Sequence, residues 1–395
     1  MNILIHMVTI LIPIISMLPS SRAPPKHIYT LIHGLKSFDV EVKLLVGSLE
    51  DNLNFPSNCE VLKVLKTDIS LRAFFYNIFR IKQNLDSVDL IYVPISTPVL
   101  MVTFLANILK GKPIVAGPNM HGFFLEQIGV HTERSFPPKI RRKIPVLGKK
   151  IYEMNILCDH FVSFTEQQKS LMIKRGLHFD KVSPIPHPVD TEKYSPTKRD
   201  KKFWTNFNIN SEIIILFAGR LSKAKGILEL FEAFEILGNN YSNTSLVICG
   251  GGGNLEGFVS EKTKEIKNAH YIGFLAESDL QKAYASADIG IFPSKYEGFG
   301  LVYLESMASG LPTVGVNKGG PSEIITNAFD GILLPDNSPN SIWSALDKLI
   351  KDKELRKELG KNARLTIEKK YTPEVIAKEY LNLFRRFLKC SVLHF

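Results

Sequence analysis

The chain has 395 residues, of which 45% are hydrophobic and 22% charged, and its 49 Lys+Arg against 39 Asp+Glu leave a formal charge of +10. This excludes a disordered, collagenous or coiled-coil protein and fits two globular domains, each large enough to bury its own core. The excess of cations points to an anionic partner: nucleic acid, a lipid surface or a phosphorylated substrate.

Residues 3–19 are nearly all apolar, but only Met1-Asn2 precede them, and Pro13 and Pro19 divide them. A signal peptide wants a basic start, and a membrane span wants roughly 20 unbroken apolar residues. The expected element is therefore a buried parallel strand over 2–8 that runs into an apolar loop. Strands are expected over 40–46, 89–93, 112–116 and 158–164, with helices over 98–109 and 166–175, the latter closed by Gly176. Pro184, Pro186, Pro188 and Pro196, followed by the charged run TKRDKK, mark a boundary within 186–205. Beyond it the alternation is clearer. Strands are expected over 213–217, 245–249, 269–272, 289–292, 313–316 and 331–334. The helices expected between and after them cover 226–237, 258–266, 278–287 (capped by Ser278), 301–309, 322–326, 338–350, 353–370 and 372–387. Strands alternating with helices mean parallel sheets with covering helices. The fold class is thus α/β, with two Rossmann-like domains over 1–190 and 191–371 and a closing helix in 372–395. Ligands of such sheets bind beyond the carboxyl ends of the strands, in a cleft if the two domains face each other. Cys59, Cys158, Cys249 and Cys390 stand far apart without a C-x-x-C pair, and read as reduced thiols of an intracellular protein.

The chemistry-bearing segments all follow strands. Gly219 permits a tight turn, and Arg220 and Lys225 can meet an anion at the start of the next helix, as a diphosphate requires. The segment is neither a P-loop nor G-x-G-x-x-G, which weakens ATPase and dinucleotide readings. In PSKYEGFGLVYLE, Glu297 lies in a loop and Glu305 one turn inside a helix. Gly298 and Gly300 leave amides exposed before the helix, a nest for a phosphate or sugar. Glu305 sits on a helix apolar nearly all round, where a buried carboxylate needs donors such as a ribose diol. The run Gly250 to Gly253, with Gly252 inside it, lets backbone approach a ligand. The backbone of Ile272 and Gly273 could read a base edge. His121, in GPNMHG, could donate to a hydroxyl or a developing charge. No histidines show metal-ligand spacing and there is no D-x-D, so no metal or other cofactor is expected. Lys139, Arg141, Arg142, Lys143, Lys149 and Lys150, interleaved with apolar residues and no anion, suit an anionic membrane surface. Stacking aromatics are missing from that stretch, so nucleic acid is not expected as a partner.

The G-R-x-x-x-x-K-G segment and the E-x7-E segment, in this order, resemble the retaining glycosyltransferases of family 4, which have the two-domain GT-B fold. The resemblance covers almost the full chain and is strongest over 185–385. It implies that Glu297 contacts the donor sugar near the reacting centre and that Glu305 binds the ribose. Arg220 and Lys225 would hold the diphosphate, His121 would touch the donor sugar, and the amides of Phe299, Gly300 and Leu301 would touch sugar and phosphate. It implies a UDP- or GDP-linked sugar as substrate, a glycan, glycolipid or lipid-linked acceptor, and retention of configuration; the reduced thiols and the basic stretch point to a cytoplasmic protein peripheral to the membrane. The family often has Gly-Gly after the first strand. Here Ser20 to His27 stands there without glycine, and Arg22 or Lys26 could meet a phosphate from that side. The competing readings are a GT-B-like nucleotide-sugar epimerase, a non-catalytic sugar- or lipid-binding subunit, and an RNA-binding protein.

Overall fold

The computed structural model describes residues 7–16, 23–50, 53–67, 70–94, 97–117, 157–174, 176–238 and 240–391. The chain divides into two compact units, one taking the residues up to Pro188 and those from Pro373 onward, the other Val189–Thr372. Each holds one sheet in which every strand pair is parallel.

In the first unit the elements run β1 (Val8–Ser16), α1 (Ala23–Leu35), β2 (Val40–Ser48), β3 (Cys59–Lys63), α2 (Leu71–Lys82), β4 (Leu90–Val93), α3 (Thr97–Asn107), β5 (Ile114–Ala116), β6 (His160–Ser163), α4 (Glu166–Lys174) and β7 (Val182–Pro184), with sheet order β3-β2-β1-β4-β5-β6-β7. The strand expected over 2–8 lies, up to residue 6, outside the described residues; β1 begins at Val8 and occupies the stretch expected as an apolar loop, with Pro13 inside it. The proline is tolerated because of the pleat. Thr9 turns its main chain toward β4, its carbonyl accepting from Asp89 N–H at 2.8 Å and its own N–H donating to the Asp89 carboxylate at 2.8 Å. Pro13, four residues on, faces the same side by the period of two. Pairing with β4 has already ended at Leu11, so the missing N–H removes no ladder bond. The stretch set against the family's Gly-Gly turn is, from Ala23 on, the opening of α1, where Pro24 and Pro25 occupy a first turn whose N–H groups have no partner in any helix.

In the second unit the elements run β8 (Ile213–Ala218), α5 (Ile227–Gly238), β9 (Thr244–Cys249), α6 (Glu256–Glu265), β10 (Ala269–Gly273), α7 (Glu277–Ser286), β11 (Ile289–Phe292), α8 (Leu301–Ala308), β12 (Thr313–Val316), α9 (Pro321–Ile324), β13 (Gly331–Leu334), α10 (Pro339–Lys351) and α11 (Lys353–Lys370). Its sheet order is β10-β9-β8-β11-β12-β13. Strand order reverses between β8 and β11, which opens a crevice at their carboxyl ends. Ser278 is not the cap of α7: the helix starts at Glu277 after Ala276. Ser338 does cap α10, accepting from Ser341 N–H at 3.3 Å.

The chain then returns to the first unit as α12 (Pro373–Ser391). Ile376, Tyr380, Leu381 and Phe384 bury there against Ile28, Leu31 and Leu35 of α1, each side chain contributing about 1.5–3 kcal/mol. A buried polar knot fixes the contact. The Tyr92 and Tyr380 hydroxyls are 3.0 Å apart, Tyr380 lies 3.3 Å from His27 Nε2, and the Nδ1 atoms of His27 and His187 are 2.9 Å apart. One proton between the two rings satisfies both nitrogens and leaves both rings neutral.

Burial holds the His27 imidazole down to about 3 from 6.5. As pH falls below 6.5 the unfolded chain takes up that proton first, so the stability contributed by neutral His27 is full above 6.5 and is lost between 6.5 and about 3. Urea midpoints measured from pH 7 to pH 5 should fall, with up to about 1.4 kcal/mol per pH unit from this group. His27→Gln should flatten that slope while lowering stability throughout; an unchanged slope would remove His27 as its cause.

Candidate functional site

The reversal between β8 and β11 brings two loops together. After β8 come Gly219 to Ser222, then a single 3-10 turn, Lys223–Lys225, ended by Gly226 at φ 71°. A Cβ on Gly226 would lie 2.0 Å from the Pro293 carbonyl oxygen, so only glycine lets the loop after β8 rest on the loop after β11. Lys295 N–H donates to the Ala224 carbonyl at 3.0 Å across the same seam. This contact delivers the Lys225 ammonium to the Glu297 carboxylate, forming an ion pair in which the side chains are 26% and 18% exposed. Such a half-open pair contributes only about 0–1 kcal/mol, so it can rearrange around an incoming anion. Arg220 is exposed, and its guanidinium makes no hydrogen bond or ion pair with any described residue.

Glu297 is fixed from its other side by the loop after β12, where its carbonyl accepts from Gly320 N–H at 2.8 Å and it bridges Gly319. Gly300, at φ 94°, opens α8, and a Cβ there would come within 2.8 Å of Glu297 Cγ. The first-turn amides of α8 thus stand beside the carboxylate. Burial first, and then the Glu297 charge, push the Tyr303 phenol well above its usual range.

Glu305, five residues into α8, is only 5% exposed. Its carboxylate meets the Tyr194 hydroxyl, whose titration is pushed well up by burial and then by that charge. The Tyr284 hydroxyl, buried without a hydrogen bond of ordinary geometry, is pushed up by burial and by the same carboxylate. Arg364 holds this corner: its Nη1 donates to the carbonyls of Thr191 at 3.1 Å, Tyr194 at 2.9 Å and Ala308 at 2.7 Å, tying the 191–194 segment to the end of α8.

The glycine run after β9 is ordered by Glu256, which accepts from Gly252 N–H at 3.1 Å and from the Tyr271 hydroxyl at 3.0 Å. Gly250 N–H donates to the Gly273 carbonyl at 2.8 Å, joining the ends of β9 and β10 where Ile272 lies.

Thus Gly219, Arg220, Lys225, Gly252, Ile272, Gly273, Glu297, Gly298, Phe299, Gly300, Leu301 and Glu305 stand at or just beyond the carboxyl ends of β8–β11. Lys225 and Glu297 are in contact, while Glu305 turns to two tyrosines. His121, Lys139, Arg141, Arg142, Lys143, Lys149 and Lys150 lie outside the described residues. Gly319, Gly320, Glu256, Tyr194, Tyr284 and Arg364 escaped the sequence reading. VNKGGPSE, which repeats the strand–glycine–helix pattern of the other loops, could have revealed the first two.

Residues 198–366 match the model of the glycosyl transferases group 1, and residues 25–193 that of Glycosyltransferase Family 4. An uncharacterized glycosyltransferase of Methanocaldococcus jannaschii is 35% identical over 179 residues, 45% of each chain. The N,N'-diacetylbacillosaminyl-diphospho-undecaprenol alpha-1,3-N-acetylgalactosaminyltransferase of Campylobacter jejuni is 28% identical over 245 residues, 60% of this chain and 64% of that one. The match therefore spans less than two thirds of either relative. Among solved structures, Anabaena HepE in complex with UDP-glucose superimposes with a TM-score of 0.74 at 17% identity, covering 96% of this chain and 99% of that one, which is a likeness of fold.

The seam, rather than the ion pair, should hold the loops. Gly226→Ala should lower unfolding free energy by about 2 kcal/mol or more, and Lys225→Met by less than about 1 kcal/mol. Urea denaturation of both variants checks this; the reverse ranking would contradict it.

Proposed function

The chain belongs to the group 1, family 4 glycosyltransferases, and from that membership we propose that it is a retaining, metal-independent enzyme. It would move a hexosyl group from a UDP- or GDP-linked donor to a hydroxyl of a glycan, glycolipid or lipid-linked acceptor. The observation that carries the reading is the Lys225–Glu297 pair where the strand order reverses, with Arg220, which has no side-chain partner among the described residues, in the same loop as Lys225. The carboxylate would serve the sugar and the two cations the diphosphate.

Arg220 and Lys225 bind the diphosphate, and the first amides of α8 add donors. As the bond between the anomeric carbon and the phosphate oxygen breaks, negative charge grows on the leaving diphosphate and both cations stabilise it. Glu297, released from Lys225 in proportion as the phosphate takes the ammonium, orients the sugar as it gains oxocarbenium character. The acceptor oxygen attacks the anomeric carbon from the face the phosphate is leaving. Its proton passes to a phosphate oxygen, the nucleoside diphosphate departs, and configuration is retained. Glu305 accepts from the ribose hydroxyls, Ile272 and Gly273 offer backbone to the base, and Gly219 and Gly252 let backbone approach. His121, by its place in the family motif, touches the donor sugar. The two cations take over the neutralising role that a divalent metal plays at other diphosphates. UDP is the first base to test, since HepE carries UDP-glucose. Acceptors of this class would place the reaction on the cytoplasmic side of a membrane.

Thermal-shift screening with UDP-, GDP- and ADP-sugars identifies the donor, since a ligand that binds only the folded chain raises its apparent stability. With that donor and acceptor saturating, Arg220→Ala should lower kcat about 10²- to 10³-fold without changing the melting temperature. Near-normal turnover would contradict the role given to Arg220. Turnover should also survive chelation of divalent ions by EDTA; a loss restored by Mg²⁺ would overturn metal independence.

A further inference from the structure

Among the described residues fifteen large hydrophobic side chains are exposed, and eight of them fall within residues 71–109. They lie on α2, on α3 and in the turn after α3, two helices that pack side by side over the first sheet. Each helix already has a buried side: Ala73, Asn77 and Ile81 on α2, and Val99, Val102 and Ala106 on α3. The outward residues are therefore a second apolar face. On α2 it is Leu71, Phe75 and Phe79, at 73%, 60% and 56% exposure and four residues apart. On α3 it continues as Met101 and Leu105, with Leu109 80% exposed in the turn beyond. A helix apolar on both sides is expected inside a core or against a non-aqueous surface, not in water.

The charges that α2 and α3 themselves carry have one sign. Arg72 stands three residues before Phe75 and Lys82 three after Phe79, on the same arc of α2. That helix carries no acidic residue, and α3 carries no charge at all. Lys66 lies over the Tyr76 ring at 4.8 Å from its centroid, and Lys110 and Lys112 follow α3, Lys110 pairing with Asp86. A second copy of the chain would set these cations against themselves. A bilayer with anionic headgroups accepts apolar side chains at its acyl boundary and the ammonium and guanidinium groups at its phosphates. We propose that the outer face of α2 and α3 docks the protein on an anionic lipid surface. Docking uses none of the donor-site residues, and its test needs neither donor nor acceptor.

The full chain should cosediment with vesicles containing phosphatidylglycerol, weakly with pure phosphatidylcholine, and less as salt rises. The double variant Phe75→Ser/Phe79→Ser should reduce the partition coefficient about tenfold or more, and Arg72→Gln/Lys82→Gln by about the same factor. Analytical ultracentrifugation should find the parent monomeric. Equal binding of either folded double variant and the parent would overturn the proposal, as would failure of the parent to bind. A parent dimer that Phe75→Ser/Phe79→Ser dissociates would also overturn it, by placing a second copy on the face. Because the charge variant alters only exposed side chains, it decides the matter even if the serine variant does not fold.

Discussion

The candidate site depends on one close approach of backbone to backbone. Gly226 rests on the carbonyl of Pro293 with no room for a methyl group, and this draws the loop after β8 onto the loop after β11. The cation of one loop and the carboxylate of the other then meet at a point neither strand could reach alone. Sheet order supplies the location, since the crevice exists only where neighbours β8 and β11 send their chains to opposite sides. Glycine supplies the proximity. The ion pair follows from both and adds little stability of its own, which suits the exchange of partners proposed for a diphosphate.

Around that seam, firmly held groups surround loosely held ones. Glu256 orders the glycine run, the Gly320 amide holds the Glu297 backbone, and Arg364 ties three carbonyls around Glu305. Arg220, by contrast, projects into water with no partner among the described residues. Preorganised donors beside an uncommitted guanidinium are what binding a highly charged leaving group requires. In the first unit a fully buried set of rings, His27, Tyr92, His187 and Tyr380, performs the corresponding structural task of fastening α12.

Much of the second unit was legible because its strands are short apolar runs separated by glycine loops and capped helices, so that period and punctuation agree. The same residues that punctuate the chain, Gly219, Gly226, Gly298 and Gly300, are the ones that build the site. The first unit was harder to read. β1 runs through Pro13, and a proline inside a central strand is normally evidence against one; only the early end of its pairing with β4 makes it harmless. β3 is an edge strand without a fully buried face, and α2 is apolar on two sides, so neither carries a single clean period. The partners of Glu305 were hidden for a different reason. Tyr194 and Tyr284 lie 90 residues apart in sequence and meet only through tertiary packing. The ribose reading started from the need of a buried carboxylate for donors, and could not see that phenols already stood there.

A crystal structure with the donor nucleoside diphosphate sugar bound tests the central claim most directly. The account predicts Arg220 and Lys225 both within about 2.7–3.2 Å of phosphate oxygens, with Glu297 turned to the sugar. A nucleotide seated elsewhere, with Lys225 still on Glu297 and Arg220 in open solvent, would contradict it.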